Sequence, residues 1–162
     1  MALLLGEKLR RLRLAQGWTH TDLAHQLGTV GRSHVSNVEA QRRPPSLLFV
    51  LQIARLFSAT TDYLLCDTIP IDAAATYIST RTSDQPNLPE LFGAKMREQR
   101  LQHGMTQNEL AQRLGLAANA HISLLERGRH EPSIDLVVAI ADLFSVTTDY
   151  LLWDEIPVKD ER

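Results

Sequence analysis

Thr60-Thr61-Asp62-Tyr63-Leu64-Leu65 returns as Thr147-Thr148-Asp149-Tyr150-Leu151-Leu152, 87 residues further along the chain. The same offset aligns Gly6-Glu7-Lys8-Leu9-Arg10 with Gly93-Ala94-Lys95-Met96-Arg97. It then runs without a gap to Asp67-Thr68-Ile69-Pro70 against Asp154-Glu155-Ile156-Pro157. About half of the aligned positions are identical, so one structural unit is used twice. The domains follow: a first unit over 1–71, a linker over 72–88 and a second unit over 89–162. Within the linker, Ser79 to Asn87 is polar and reads as a flexible connection. The preceding Ala73-Ala74-Ala75-Thr76-Tyr77-Ile78 is open between a short helix and an arm that packs elsewhere.

Each unit reads as five short helices. In the second, Leu91, Met96, Arg100 and Leu101 fall near helical spacing and Gly104 ends the first helix. Thr106 followed by Glu109 is a capping-box pattern that starts another helix, with Leu110, Ala111 and Leu114 on its apolar face and Gly115 at its end. A third helix carries Ile122 and Leu125 inward and stops at Gly128. Pro132-Ser133 opens a fourth through Leu136, Val137, Ile140, Ala141 and Phe144. A fifth begins at Thr147 or Thr148, with Asp62 and Asp149 read as caps. The first unit repeats the pattern through Thr19, Leu23, Ala24, Leu27, Gly28, Val35, Val38, Leu51, Ile53 and Phe57. Two helices joined by a short glycine-containing turn suit a helix-turn-helix, in which the second helix projects as a probe. Periodicity alone leaves a generic helical bundle equally open.

Composition narrows the class. With 44% hydrophobic and 22% charged residues in a chain of 162, a globular, soluble protein is expected rather than a disordered one. No apolar run reaches the roughly 20 residues of a membrane span. The apolar start Leu3-Leu4-Leu5 lacks a basic leader, so the default expectation is cytoplasmic. The single cysteine, Cys66, cannot form an internal disulfide and aligns with Trp153, which reads as a buried apolar position. His20 and His25 have helical spacing but no third ligand, so no metal is expected, and His34 and His121 recur at one position as structural or phosphate-binding groups. No phosphate loop, nucleophile elbow or carboxylate pair is present, so neither a cofactor nor an enzymatic activity is expected.

Thr106-Gln107-Asn108-Glu109-Leu110-Ala111, Leu114-Gly115, Ile122-Ser123, Glu126-Arg127-Gly128-Arg129 and Pro132-Ser133 resemble the Cro/C1-type (XRE-like) helix-turn-helix family of transcriptional regulators. The resemblance covers nearly the whole chain outside the linker. It implies an all-α fold of two tandem five-helix, lambda-repressor-like helix-turn-helix domains. Both copies depart from the family pattern by one extra residue between the glycine and the probe helix.

The resemblance implies a sequence-specific, repressor-like regulator that places the probe helix in the major groove of a double-stranded DNA operator, usually as a homodimer. Carried over position by position, the base-contacting residues are Arg32, Ser33 and Asn37 in the first copy and Asn119 in the second, where Ala120 and Leu124 replace the other two. Arginine pairs with guanine and asparagine with adenine in bidentate fashion. Phosphate contacts are expected from Thr19, His20, His34, Ser36, Arg42 and Arg43, and from Thr106, Gln107 and Arg129. Arg13 with Glu39 and Arg100 with Glu126 occupy positions of a semi-buried structural ion pair in the family.

Charge separates the copies. Residues 1–71 hold eight lysines and arginines against five acids, a balance of +3, whereas residues 86–162 hold eight against twelve, a balance of −4. Two arrangements therefore compete: both copies of one chain read an asymmetric site, or the acidic second copy joins two chains and only the first copies touch DNA. The charge split and Leu124 favour the second arrangement. A rival from another class is a protein-interaction adaptor, or an antitoxin-like subunit, that keeps the fold without binding DNA.

Overall fold

Short capping signals and buried apolar faces build each half of the molecule separately. The structure, a computed structural model, describes residues 3–28, 30–77 and 88–157. The sequence-predicted linker from Ser79 to Asn87 lies outside the described residues, as does Ile78. Two compact units result, Met1–Asn87 and Leu88–Arg162.

The first unit contains α1 (Leu5–Ala15), α2 (His20–Leu27), α3 (Arg32–Glu39), α4 (Leu47–Leu56) and α5 (Thr61–Leu65). The second contains α6 (Phe92–Gln102), α7 (Gln107–Arg113), α8 (Asn119–Glu126), α9 (Ile134–Phe144) and α10 (Thr148–Leu152). No strand occurs among the described residues. Thr19 and Asp22 form a full capping box at α2, and Thr106 and Glu109 do the same at α7. Ser46 and Ser133 accept from the backbone N–H of Phe49 and Leu136 to start α4 and α9. Each cap satisfies donors that the first helical turn leaves unpaired.

Around the caps, Leu9, Leu23, Val35 and Leu64 are fully buried in the first unit, as are Met96, Leu110, Ile122 and Leu151 in the second. Close approach of α1 to the end of α3 demands glycine: a Cβ at Gly6 would meet the Val38 carbonyl oxygen at 2.7 Å. Gly93 meets the Leu125 carbonyl in the same way. Gly28 closes α2 at φ +66° and Gly115 turns the chain after α7 at φ +67°, conformations that cost an L-residue about 1–2 kcal/mol.

Several expectations change. The fifth helices are capped by the Thr60 and Thr147 hydroxyls, which accept from the N–H of Tyr63 and Tyr150, rather than by Asp62 and Asp149. The Asp149 carboxylate is buried and accepts from the Trp153 indole at 2.9 Å. Cys66, expected to be buried, is half-buried. The expected apolar residues Leu91, just before α6, and Leu101, within it, are exposed, and the buried face includes Phe92, Met96, Lys95 and Arg100. Long basic side chains can bury their hydrocarbon when the charged end finds a partner. The segment left open as helix or arm forms a 3₁₀ helix, Ile71–Thr76, on the first unit. There the Tyr63 hydroxyl donates to the Ile71 carbonyl at 2.7 Å, and Tyr77 stacks on Tyr63.

Candidate nucleic-acid interface

The probe helix of each unit is anchored at its far end by a buried ion pair. Arg13 Nε donates to Glu39 Oε1 at 2.7 Å and Nη2 to Oε2 at 2.8 Å, so helix α1 grips the last residue of α3 in a fork. Nη1 also donates to the Trp18 carbonyl at 2.6 Å. In the second unit Arg100 meets Glu126 at 2.6 and 3.2 Å and the Met105 carbonyl at 2.7 Å. The side chains of both pairs are at most 8% exposed. Burial pushes the Glu39 carboxyl up, but hydrogen bonds from Arg13 and His20 outweigh it and hold the group below its ordinary range. Hydrogen bonds from Thr19 hold Asp22 low, and those from Thr106, led by its backbone N–H, hold Glu109 low.

His20 and Gln107, each the first residue of its helix, reach the same glutamate. His20 Nε2 lies 2.9 Å from Glu39 Oε2, and Gln107 Nε2 donates to Glu126 Oε2 at 2.8 Å. The two side chains expected at phosphate therefore also tie α2 to α3 and α7 to α8. Sequence reading missed this lock, because donor and glutamate lie 19 residues apart in the chain and only the fold brings them together.

Helix α3 begins at Arg32 and α8 at Asn119, the residues expected to lead each probe. Neither helix has a side-chain cap, because Gly31 and Ala118 hold the N-cap positions. Arg32 and Ser33 are exposed and Ser36 and Asn37 half-exposed; Ser33, Ser36 and Asn37 lie on the side of α3 away from the buried Val35 and Val38, and Arg32 opens its first turn. His34 is half-buried with its ring edge-on to Phe49, 4.9 Å between centroids. Arg42 and Arg43 are exposed just beyond α3. In the second unit Asn119 and Ala120 are exposed, Leu124 is half-exposed, and Arg129 is exposed beyond the helix. The His121 and His130 rings lie 5.5 Å apart.

Burial redistributes the charge read from the sequence. Lys8 and Lys95, counted among the bases, are completely buried. Lys8 Nζ donates to the Tyr63 and Cys66 carbonyls at 2.7 and 2.8 Å, and Lys95 Nζ to the Trp153 carbonyl at 2.6 Å. Burial lowers the Lys8 pKa, with Asp67 acting against the shift. Asp67 in turn accepts from the N–H groups of Leu3 and Leu4, and Asp154 from those of Glu90 and Leu91. These contacts close the ends of each unit, and the two buried ammonium groups are out of reach of a ligand.

The remaining charge around the two probes is nearly alike. Residues 20–44 contribute Arg32, Arg42 and Arg43, and the only acids are capping Asp22 and paired Glu39. Residues 107–131 contribute Arg113, Arg127 and Arg129 against capping Glu109, paired Glu126 and one further acid, Glu131. The surplus acid of the second unit sits elsewhere: Glu98 stands where the first has Arg11, Asp142 where it has Arg55, and Glu155 where it has Thr68.

A helix-turn-helix family model matches residues 9–64 and again 96–151, more than half of the chain. The chain belongs to the Cro/C1-type helix-turn-helix family, which comprises DNA-binding transcription regulators and is not an enzyme class. Among curated proteins, the HTH-type transcriptional regulator ImmR of Bacillus subtilis is 37% identical over 71 residues. That match covers 43% of this chain and 55% of ImmR, so it spans about half of that relative. Two uncharacterized HTH-type transcriptional regulators of Archaeoglobus fulgidus are 37% and 35% identical over 62 and 69 residues. These matches cover 38% and 42% of this chain and 87% and 96% of the relatives. No solved structure matches the chain. Among the described residues no helix is long and apolar enough to cross a membrane.

Proposed function

We propose that this protein is a cytoplasmic, repressor-like regulator that reads a double-stranded DNA operator with α3 in the major groove and acts as a homodimer. The observation that carries the reading is the exposed Arg32-Ser33 edge, with Asn37 one turn on, at the free start of a helix whose other end is locked through Glu39. Arg32 pairs with guanine and Asn37 with adenine, each contributing about 1–3 kcal/mol of discrimination. Ser33 supports them, and Asn119 is the corresponding base contact of the second unit. Phosphates fall to Thr19, His20, His34, Ser36, Arg42 and Arg43, with Thr106, Gln107 and Arg129 on the second unit. These contacts fix register rather than sequence.

Titration of duplex DNA at low and high salt tests the reading. Affinity should fall steeply with salt, and removing Arg42 and Arg43 together should reduce the slope of log K against log salt by about two. Arg32→Ala and Asn37→Ala should each weaken binding to a preferred duplex by roughly 5- to 150-fold while leaving random duplex nearly unaffected. Absence of binding at low salt would overturn the regulator reading and favour the adaptor or antitoxin-like alternative.

A further inference from the structure

The second probe keeps the first one's anchoring and cationic surroundings but carries a different reading surface. Ala117, Ala118 and Ala120 are exposed, and Leu116 and Leu124 are half-exposed. Asn119 and Ser123 are the only hydrogen-bonding side chains between 116 and 124 that are not rings. In the first unit the positions of Asn119, Ala120 and Leu124 hold Arg32, Ser33 and Asn37. An apolar face alone could suit many partners. Here exposed Arg113 precedes it in the chain and exposed Arg127 and Arg129 follow it, and the helix that presents it is locked through Arg100, Glu126 and Gln107.

We propose that α8 is a second, chemically distinct DNA reader, in which Leu124 and Ala120 recognise thymine 5-methyl groups and Asn119 an adjoining adenine. The proposal rests on the DNA-binding reading above. Exposed cations before and after the helix in the chain suit contacts to the phosphates of a duplex. Within that groove the thymine methyl is the one apolar feature a side chain without donors can select. A partner protein would also accept Leu124 and Ala120, but it would have no general need for the three arginines around them. The preferred site is then composite: one block read by Arg32 and Asn37, and a thymine-bearing block read by Leu124.

Selection of duplexes from a random library with the full chain tests this. Two unlike kinds of block should be enriched, each repeated where two chains bind, and Arg32→Ala should erase only one kind. In the other block, replacing thymidine by deoxyuridine removes only the methyl and should weaken binding about fourfold per contacted methyl. Leu124→Ala should remove that sensitivity. Leu124→Asn, which installs the residue of the first copy, should shift the preferred base from thymine to adenine, and it separates loss of reading from loss of folding. Blocks of one kind only, all lost with Arg32→Ala, or a second kind indifferent to uracil would overturn the inference while sparing the first reader. Enrichment of no duplex at all would instead overturn the proposed function itself.

Discussion

Where the first unit offers Asn37, the second offers Leu124; two residues further on, both offer the same glutamate to the same arginine. The difference teaches which positions the fold holds fixed. A buried carboxylate without its guanidinium would be an uncompensated charge, so Arg13–Glu39 and Arg100–Glu126 recur together. A solvent-facing probe residue has no such obligation to the fold, and there the copies diverge. His20 and Gln107 fall between the two cases, since each contacts the lock and remains half-exposed.

The largest test of this shared frame is removal of the glutamate. Glu39→Ala and Glu126→Ala should each cost about 3–5 kcal/mol, measured by urea denaturation of the full chain with the unaltered unit as internal reference. Similar losses support one frame used twice, and a unit indifferent to the change would break the comparison. Acid should act on the same group. Because the folded-state pKa of Glu39 is depressed, its contribution is complete above the ordinary glutamate range and is lost as pH falls through the lower folded value. Denaturation midpoints between neutral and strongly acidic pH should therefore fall less steeply in Glu39→Gln than in the parent.

Gly6→Ala and Gly93→Ala come next. Each adds a methyl where a carbonyl oxygen already sits, and overpacking of this kind costs about 1–3 kcal/mol. Thermal unfolding should show both units weakened; an unchanged Tm would mean that the first helix yields easily. The smallest effect should separate the copies again. Gln41 holds φ +56° where the second unit has Gly128 at φ +64°. Gly128→Ala should destabilise by about 1 kcal/mol. Gln41→Gly should change stability by less, because relief of the backbone is offset by loss of the Gln41 bond to the Leu3 carbonyl and by added freedom in the unfolded chain.

Much of the fold was legible because its signals are local. Thr19 with Asp22, Thr106 with Glu109 and the glycines at 28 and 115 act within a turn of their own helices, and the offset of 87 showed that they occur twice. The starts of the probes at Arg32 and Asn119 came instead from the family resemblance, carried over position by position. What remained hidden depended on distant contacts. Lys8 is buried because carbonyls 55 and 58 residues away receive its ammonium. Asp67 reaches back 64 residues to the start of α1. Asp62 and Asp149 were misread as caps because the threonine two residues earlier holds the capping geometry.

The sequence by itself determined that one helical unit is used twice and, through its family resemblance, that the unit is a helix-turn-helix with one polar and one apolar probe, since repeat, motif and residue types need no coordinates. Only the tertiary structure decided where the charge lies. Packing buried two lysines and neutralised two arginines against glutamates, and it left the acid surplus of the second unit largely off its probe. The balance of +3 against −4 is thus a property of whole units. The surfaces that would face DNA share nearly the same cationic setting, because burial and pairing, which arise from contacts far apart in the chain, determine which charges remain available.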